Sequence, residues 1–466
     1  MAFNKKFFWD RWKFLTLALA CLLSPIAFAS ALSAMAPLKL KDNEWDEFRR
    51  NLQVVKQLGV EAISVDVWWG EVQRNGPQSF DWAYYDRLFQ VIREEGLKIS
   101  PILSTHACGG NVGDNVNIPL PDWVWAKRKN GALVQFVSEA GNANSDYVSY
   151  WATDTVIEDY KRFWRGFNRH YQSLVDDISE ISVSMGPSGE LHYPAYHGHD
   201  IDFNLAKWPH RGSFQAYGDL AKVDLQQYLR QKYSSVENLN RAWETGFQNF
   251  SQVEVPFFKN SPELSRSLNG SWLQKAQGAD VFSWYHETLI KHANLVASEA
   301  LAVFQKEGGA LNKPLTFKIP GVHWQRRRHA ELLNGLITPG EVRGESRAYS
   351  SIFESLRSLD TNSVPGFSLY TTAAASANIS GPHPPFSRAQ DLVKTFSDHS
   401  LQYGIPVKVE NALASDLYSQ SNLGVLEDNV GRLNIRGVTL LRMGDIVASP
   451  LAQESCSRML RILLGR

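Results

Sequence analysis

Two glutamates in this 466-residue chain stand where a carboxyl group could do acid–base chemistry. Glu190 lies in GPSGELHYP, on a bend that follows two glycines and precedes Pro194, directly after the strand-like DISEISVSM. Glu410 lies in VENAL, where the apolar run IPVKV ends. A single loop acid is ordinarily just solvated. Two of them, each at the end of a strand, match what cleavage of a glycosidic bond requires. One carboxylic acid protonates the leaving oxygen, and a carboxylate on the other side serves the anomeric centre. Competing chemistries lack their signatures. The sequence has no HExxH, no CxxC pair, no GxGxxG after a strand and no GxSxG elbow. Its twelve histidines are scattered without ligand spacing.

Two such residues need a scaffold that brings strand ends together. Short β-branched runs recur along the chain: SAMAPL, EAISVDVWWG, LKISPILSTH and DISEISVSMG, then PLTFKIPGVHW, SVPGFSLYT, IPVKVENAL and RGVTLLRMGD. Between them, EWDEFRRNLQVVKQLG and FDWAYYDRLFQVIREEG carry apolar residues at i, i+3, i+4 and i+7, with Gly59 and Gly96 placed to end them. SRAQDLVKTFSDHSLQYG does the same before the seventh run. This alternation predicts an α/β fold, a (β/α)8 TIM barrel. The connections over 104–178 and 184–314 are too long for one helix each and are expected to form a lid or small lobe after strands 3 and 4. Chemistry in such a barrel sits at the C-terminal strand ends. Those ends read Asp66, His106, Glu190, Lys318 with His323, Ser368, Glu410 and Arg442.

A second informative stretch is THACGGNVGDNVNIPLPDWVW. Gly109, Gly110 and Gly113 give a backbone that can move, and Asp114 rides on it. A phosphate cradle would need a following helix start with Lys-Ser/Thr, which is missing. A lid that closes over substrate and excludes water is the better reading. Cys108 beside it is expected to be a buried thiol without a catalytic part.

Composition narrows the partners. With 48 basic and 48 acidic side chains the net charge is zero, which argues against nucleic acid or an anionic membrane. Fifteen Trp and sixteen Tyr serve a core first, although flat sugar faces also stack on such rings. At the N-terminus, Lys5, Lys6, Arg11 and Lys13 precede an apolar run from Phe14 to Leu23, and Ala27-Phe28-Ala29 offers a cleavage site. Residues 1–29 are therefore expected to be a signal peptide and residues 30–466 a secreted or periplasmic catalytic barrel. Cleavage after Ala34 would remove most of the first strand, so the site near Ala29 is preferred. Cys108 and Cys456 are too few for a disulfide framework.

The motifs VDVWWGEVQ, STHACGGNVGDNVNIPLPDWVW, GPSGELHYPAY, FKIPGVHW, VENAL and TLLRMGD, in this order, resemble the β-amylase family in its bacterial branch, from about Met35 to the last strand. The resemblance implies an inverting exo-hydrolase that releases β-maltose from the non-reducing ends of α-1,4-glucans. It makes Glu190 the general acid and Glu410 the general base. It assigns substrate contacts to Asp66, His106, Asp114, Lys318, His323, Asn411, Ala412 and Arg442. Leu413 suits a wedge between sugar rings or an ordinary core position. Two departures stand out. Where the family has FTCLEM after strand 6 this chain has FSLYTT, so Ser368 keeps only the hydroxyl of the expected threonine. Where bacterial members hold calcium, Gln73 and Pro77 replace carboxylates, so no metal or cofactor is expected. Two rivals remain at this level: a retaining barrel β-glycosidase, which would carry Asn-Glu where Gly189-Glu190 stands, and a catalytically silent glucan-binding protein.

Overall fold

Apolar residues spaced three and four apart fold the first amphipathic stretch into α1, Trp45–Gln57, which buries Trp45, Phe48, Leu52 and Val55. Each such side chain contributes about 1.5–3 kcal/mol when fully removed from water. Gly59 closes the helix with a φ of 92°, a conformation that a Cβ would oppose, and its amide donates to the Lys56 carbonyl at 3.0 Å. Gly96, at φ 71°, ends α2, Ala83–Glu94, in the same way. The computed structural model describes residues 31–109, 114–194, 214–257, 272–307, 311–320, 322, 332–336, 347–360, 367–371, 388–411 and 413–465. The segment read as a signal peptide, together with Gly110, Gly113, His323 and Ala412, lies outside them.

Eight parallel strands close a barrel in chain order. They are β1 (Leu32–Met35), β2 (Ala62–Trp68), β3 (Lys98–Ser104), β4 (Ile181–Val183), β5 (Leu315–Ile319), β6 (Phe367–Thr371), β7 (Val407–Glu410) and β8 (Ile435–Leu440). Closure is direct: Leu32 pairs with Val438 and Ala34 with Leu440. Each strand overlaps one of the eight runs read from the sequence, β1 and β8 starting one residue earlier than theirs. The fold is the (β/α)8 barrel that their alternation predicts.

The two long connections carry extra structure. Between β3 and β4 come a short helix, Asp122–Trp125, two small antiparallel pairs, and α3, Thr153–His170. Between β4 and β5 come α4 (Asp219–Tyr233), α5 (Val236–Trp243) and α6 (Ala276–Leu301). One fully buried carboxylate ties these three helices together. Asp280 of α6 accepts from Lys232 Nζ at 2.5 Å, Tyr233 OH at 2.6 Å and Trp243 Nε1 at 2.7 Å. Much of the aromatic excess is consumed here as core. Trp151 stacks on Trp284 at 5.3 Å, and Tyr193 stacks on Tyr285 at 3.7 Å.

Below its mouth the barrel is polar where aliphatic layers are the norm. Lys408, two residues before Glu410 and on the same face of β7, forms a buried ion pair with Glu180 at the foot of β4. Glu180 also accepts from Thr316 Oγ1 at 3.1 Å, and the Thr316 hydroxyl lies 3.2 Å from that of Ser368. Cys108 and Cys456 are both buried and free.

Candidate active site

The bend after β4 is built by close approach. A Cβ on Gly186 would stand 2.3 Å from the Glu190 carbonyl oxygen and 2.4 Å from the Tyr150 hydroxyl. A Cβ on Gly189, at φ 79°, would press to 3.2 Å of the His106 ring. Ser188 takes a left-handed φ of 57°, which costs an L residue about 1–2 kcal/mol. The Met185 amide donates to the Gly189 carbonyl at 3.0 Å and the Glu190 amide to that of Pro187 at 3.0 Å. The Leu191 amide then docks on the Lys318 carbonyl of β5 at 3.0 Å. Glu190 is thus held on a short one-turn loop clamped to the neighbouring strand.

Lys318 is the meeting point. Its Nζ lies 3.3 Å from Glu410 Oε1 and 4.0 Å from Glu190 Oε1. One ammonium in reach of both carboxylates caps the separation of these two oxygens at about 7 Å. Burial alone would lower the Lys318 pKa, but Glu410, Glu190 and Asp66 together outweigh it and raise the pKa above its ordinary value. The lysine therefore stays charged. Asp66 on β2 accepts from Ser104 Oγ at 2.9 Å. Burial raises its pKa against the opposing pull of Arg442, Ser104 and Lys318. His106, after β3, packs edge-on to Trp68 at 5.2 Å with Nδ1 2.7 Å from Ser184 Oγ. Burial first, then the Lys318 charge, pushes its pKa down to about 3, so it presents a neutral imidazole.

The other expected site residues are placed less uniformly. Asp114 accepts the Gly109 amide at 2.9 Å, at the base of a loop whose stem pairs Cys108 with Ile118. Burial, then the charges of Asp114 and Asp66, push the Cys108 thiol up to about 12, which leaves it inert. Asn411 is fully buried. Its Oδ1 accepts from the Leu441 amide at 2.9 Å and its Nδ2 donates to the Leu413 carbonyl at 2.8 Å, so its carboxamide joins the ends of β7 and β8. Leu413 is 43% exposed, which removes the core alternative. Arg442 follows β8, and its charge reaches Asp66. Ser368 is the second residue of β6, bonded to Thr316 one layer beneath Lys318, and does not stand at the strand end where the sequence reading put it. His323 and Ala412 fall outside the described residues.

Sequence reasoning passed over His192, Glu180 and Lys408. His192 was visible as an ionisable residue two positions after Glu190; its Nε2 lies 3.5 Å from Glu190 Oε2. The residues that depart from the calcium-holding pattern are engaged with one another and with neighbours. Gln73 Oε1 accepts from Trp69 Nε1 at 2.7 Å, its Nε2 donates to the Pro77 carbonyl at 2.6 Å, and Glu71 pairs with Lys39 at 2.7 Å. An amide that donates where a cation would need an oxygen does not fit a hard metal. Among the described residues no group of three His, Cys, Asp or Glu could hold one.

Residues 33–457 match the sequence profile of glycosyl hydrolase family 14. The chain belongs to that family. Among relatives, the β-amylase of Niallia circulans is 33% identical over 432 residues, 91% of this chain and 69% of that one. The thermophilic β-amylase of Thermoanaerobacterium thermosulfurigenes is 34% identical over 94% of this chain and 76% of its own. The solved catalytic domain of the β-amylase from Paenibacillus polymyxa superposes with a TM-score of 0.79 at 32% identity, covering 94% of this chain and 98% of that domain. The family 14 chain is accordingly a glycoside hydrolase.

Proposed function

We infer that the family 14 enzyme releases maltose from the non-reducing ends of α-1,4-glucans with inversion at the anomeric carbon. The observation that carries this reading is the convergence of Glu190 and Glu410 on Lys318, in a chain that belongs to family 14 along nearly its whole length. Glu190, protonated, gives its proton to the glycosidic oxygen as the C–O bond breaks. Glu410, as carboxylate, takes a proton from the water that attacks the anomeric carbon from the opposite face. The Lys318 ammonium lies within reach of both carboxyl groups, a fixed positive charge between the acid and the base. Asp66, neutral His106, Asp114 and Arg442 supply charged and hydrogen-bonding groups for sugar hydroxyls at the mouth. His323 and Ala412 are assigned to substrate contact on the family resemblance alone, whereas Ser368, one layer beneath Lys318, is not. The exposed Leu413 offers an apolar edge to a sugar ring.

Export is part of the same reading. It is supported by the basic, apolar and Ala-x-Ala pattern of residues 1–29 and by a first barrel strand that begins only at Leu32. No helix of the described residues is long and apolar enough to cross a membrane.

Glu190→Gln and Glu410→Gln test the assignment. Each keeps the shape and removes the proton chemistry, so each should lower kcat by about 10²–10⁴-fold. Both variants should still bind maltopentaose by calorimetry. Near-normal turnover in either variant contradicts its role.

A further inference from the structure

His192 carries a geometry that the acid–base scheme above does not use. Its side chain is largely buried, and its Nδ1 lies 2.7 Å from the Tyr193 carbonyl oxygen. A carbonyl only accepts, so Nδ1 bears a hydrogen in every protonation state. The opposite nitrogen, Nε2, faces Glu190 Oε2 at 3.5 Å. In the neutral ring that nitrogen is a lone pair, ready to accept from a protonated carboxyl. In the imidazolium it is an N–H, ready to donate to a carboxylate. The backbone that carries the ring is held on both sides. The Tyr150 hydroxyl donates to the His192 carbonyl at 2.5 Å, and the next residue, Tyr193, is locked by its stack on Tyr285.

We propose that His192 is a positioning residue for Glu190, orienting its carboxyl group and sharing its proton, so that the pair governs the basic limb of the rate profile. This rests on the reading of Glu190 as the general acid. The pair holds two protons at low pH, one in the working range and none at high pH, and its apparent values belong to both members. The groups facing it decide where the single proton sits. Lys318 on β5 is 4.0 Å from Glu190 Oε1 and disfavours a second cation beside it. Glu410 on β7 and Asp66 on β2 partly offset that ammonium. His106 after β3 is neutral, with Asp146 a weaker negative influence on it. Without His192, Lys318 would act on Glu190 alone and strip its proton at lower pH.

His192→Gln supplies the test, because an amide can still bond to Tyr193 and Glu190 but does not titrate. With maltopentaose as substrate, the basic limb of kcat should move down by about one pH unit, while the acid limb stays in place. KM should change by less than about twofold, since the effect is on proton supply and not on binding. An unmoved basic limb, in a variant with the wild-type circular dichroism spectrum, overturns the proposal.

A second measurement leaves His192 intact. In protein labelled with ¹⁵N at histidine, His192 should be the Nδ1–H tautomer, and its pKa should fall by about one unit in Glu190→Gln, where the neighbouring carboxylate is lost. An unchanged titration overturns the coupling. The two readings fail separately. Near-normal turnover in Glu190→Gln removes the acid assignment and this proposal with it. An inert Glu190→Gln beside an unmoved His192→Gln profile removes only the role of His192.

Discussion

Asp114 accepts the Gly109 amide at 2.9 Å, beside Cys108, on which the charges of Asp66 and Arg442 also act. A carboxylate in that place can exchange a backbone donor for a sugar hydroxyl. Asp114→Ala should therefore lower kcat/KM by about tenfold or more while changing stability by about 1 kcal/mol or less, the scale of one exposed hydrogen bond. Kinetics on maltopentaose and a thermal melt check both halves, and unchanged kinetics would remove the loop from the mechanism. At this scale Glu410 was legible because it ends a strand run, and Glu190 because it follows one across a glycine-bearing bend. Ser368 was misplaced because a strand's last residue cannot be fixed from composition. His192 stood in the quoted motif, yet its meaning depends on a ring orientation set by the contact of Nδ1 with the Tyr193 carbonyl, which no spacing reveals.

Elements were legible where their pattern is local. Helices α1 and α2 follow from apolar spacing and their closing glycines, and eight strands follow from eight β-branched runs. β4 shrinks to Ile181–Val183 because the chain turns at Gly186 to present Glu190. What the pattern could not reveal is the polar inside of the barrel. The Glu180–Lys408 pair joins residues 228 apart in sequence, and alternation reads Lys408 only as an interruption of an apolar strand. Lys408→Met would leave Glu180 buried without its counter-charge and should cost about 3–5 kcal/mol. The double variant Lys408→Met/Glu180→Gln should recover part of that loss. Denaturant unfolding measures both, and a Lys408→Met protein as stable as wild type would mean that the pair supports neither strand.

Over the whole molecule, buried neutral histidines couple folding to acid. His106 and His292 are both pushed by burial from 6.5 to about 3. His292 has Nε2 2.8 Å from the Met185 carbonyl oxygen and Nδ1 2.7 Å from the Thr153 hydroxyl. Between these two values the unfolded chain binds protons that the folded chain does not. Stability therefore rises with pH in this window and is full above about 6.5. As pH falls from about 6.5 toward 3, each histidine should remove up to about 1.4 kcal/mol per pH unit. His292→Gln should flatten the fall of Tm with acid, and equal slopes in variant and wild type would exclude the coupling.

The central claim concerns the whole barrel mouth: one acid, one base and a water, acting only at chain ends. It is tested most directly by adding the enzyme to soluble starch and following the first minutes of reaction by ¹H NMR. β-Maltose should appear as the first and dominant product, mutarotating afterwards, while viscosity stays high. α-Maltose first, or mixed oligosaccharides with rapid loss of viscosity, would contradict it.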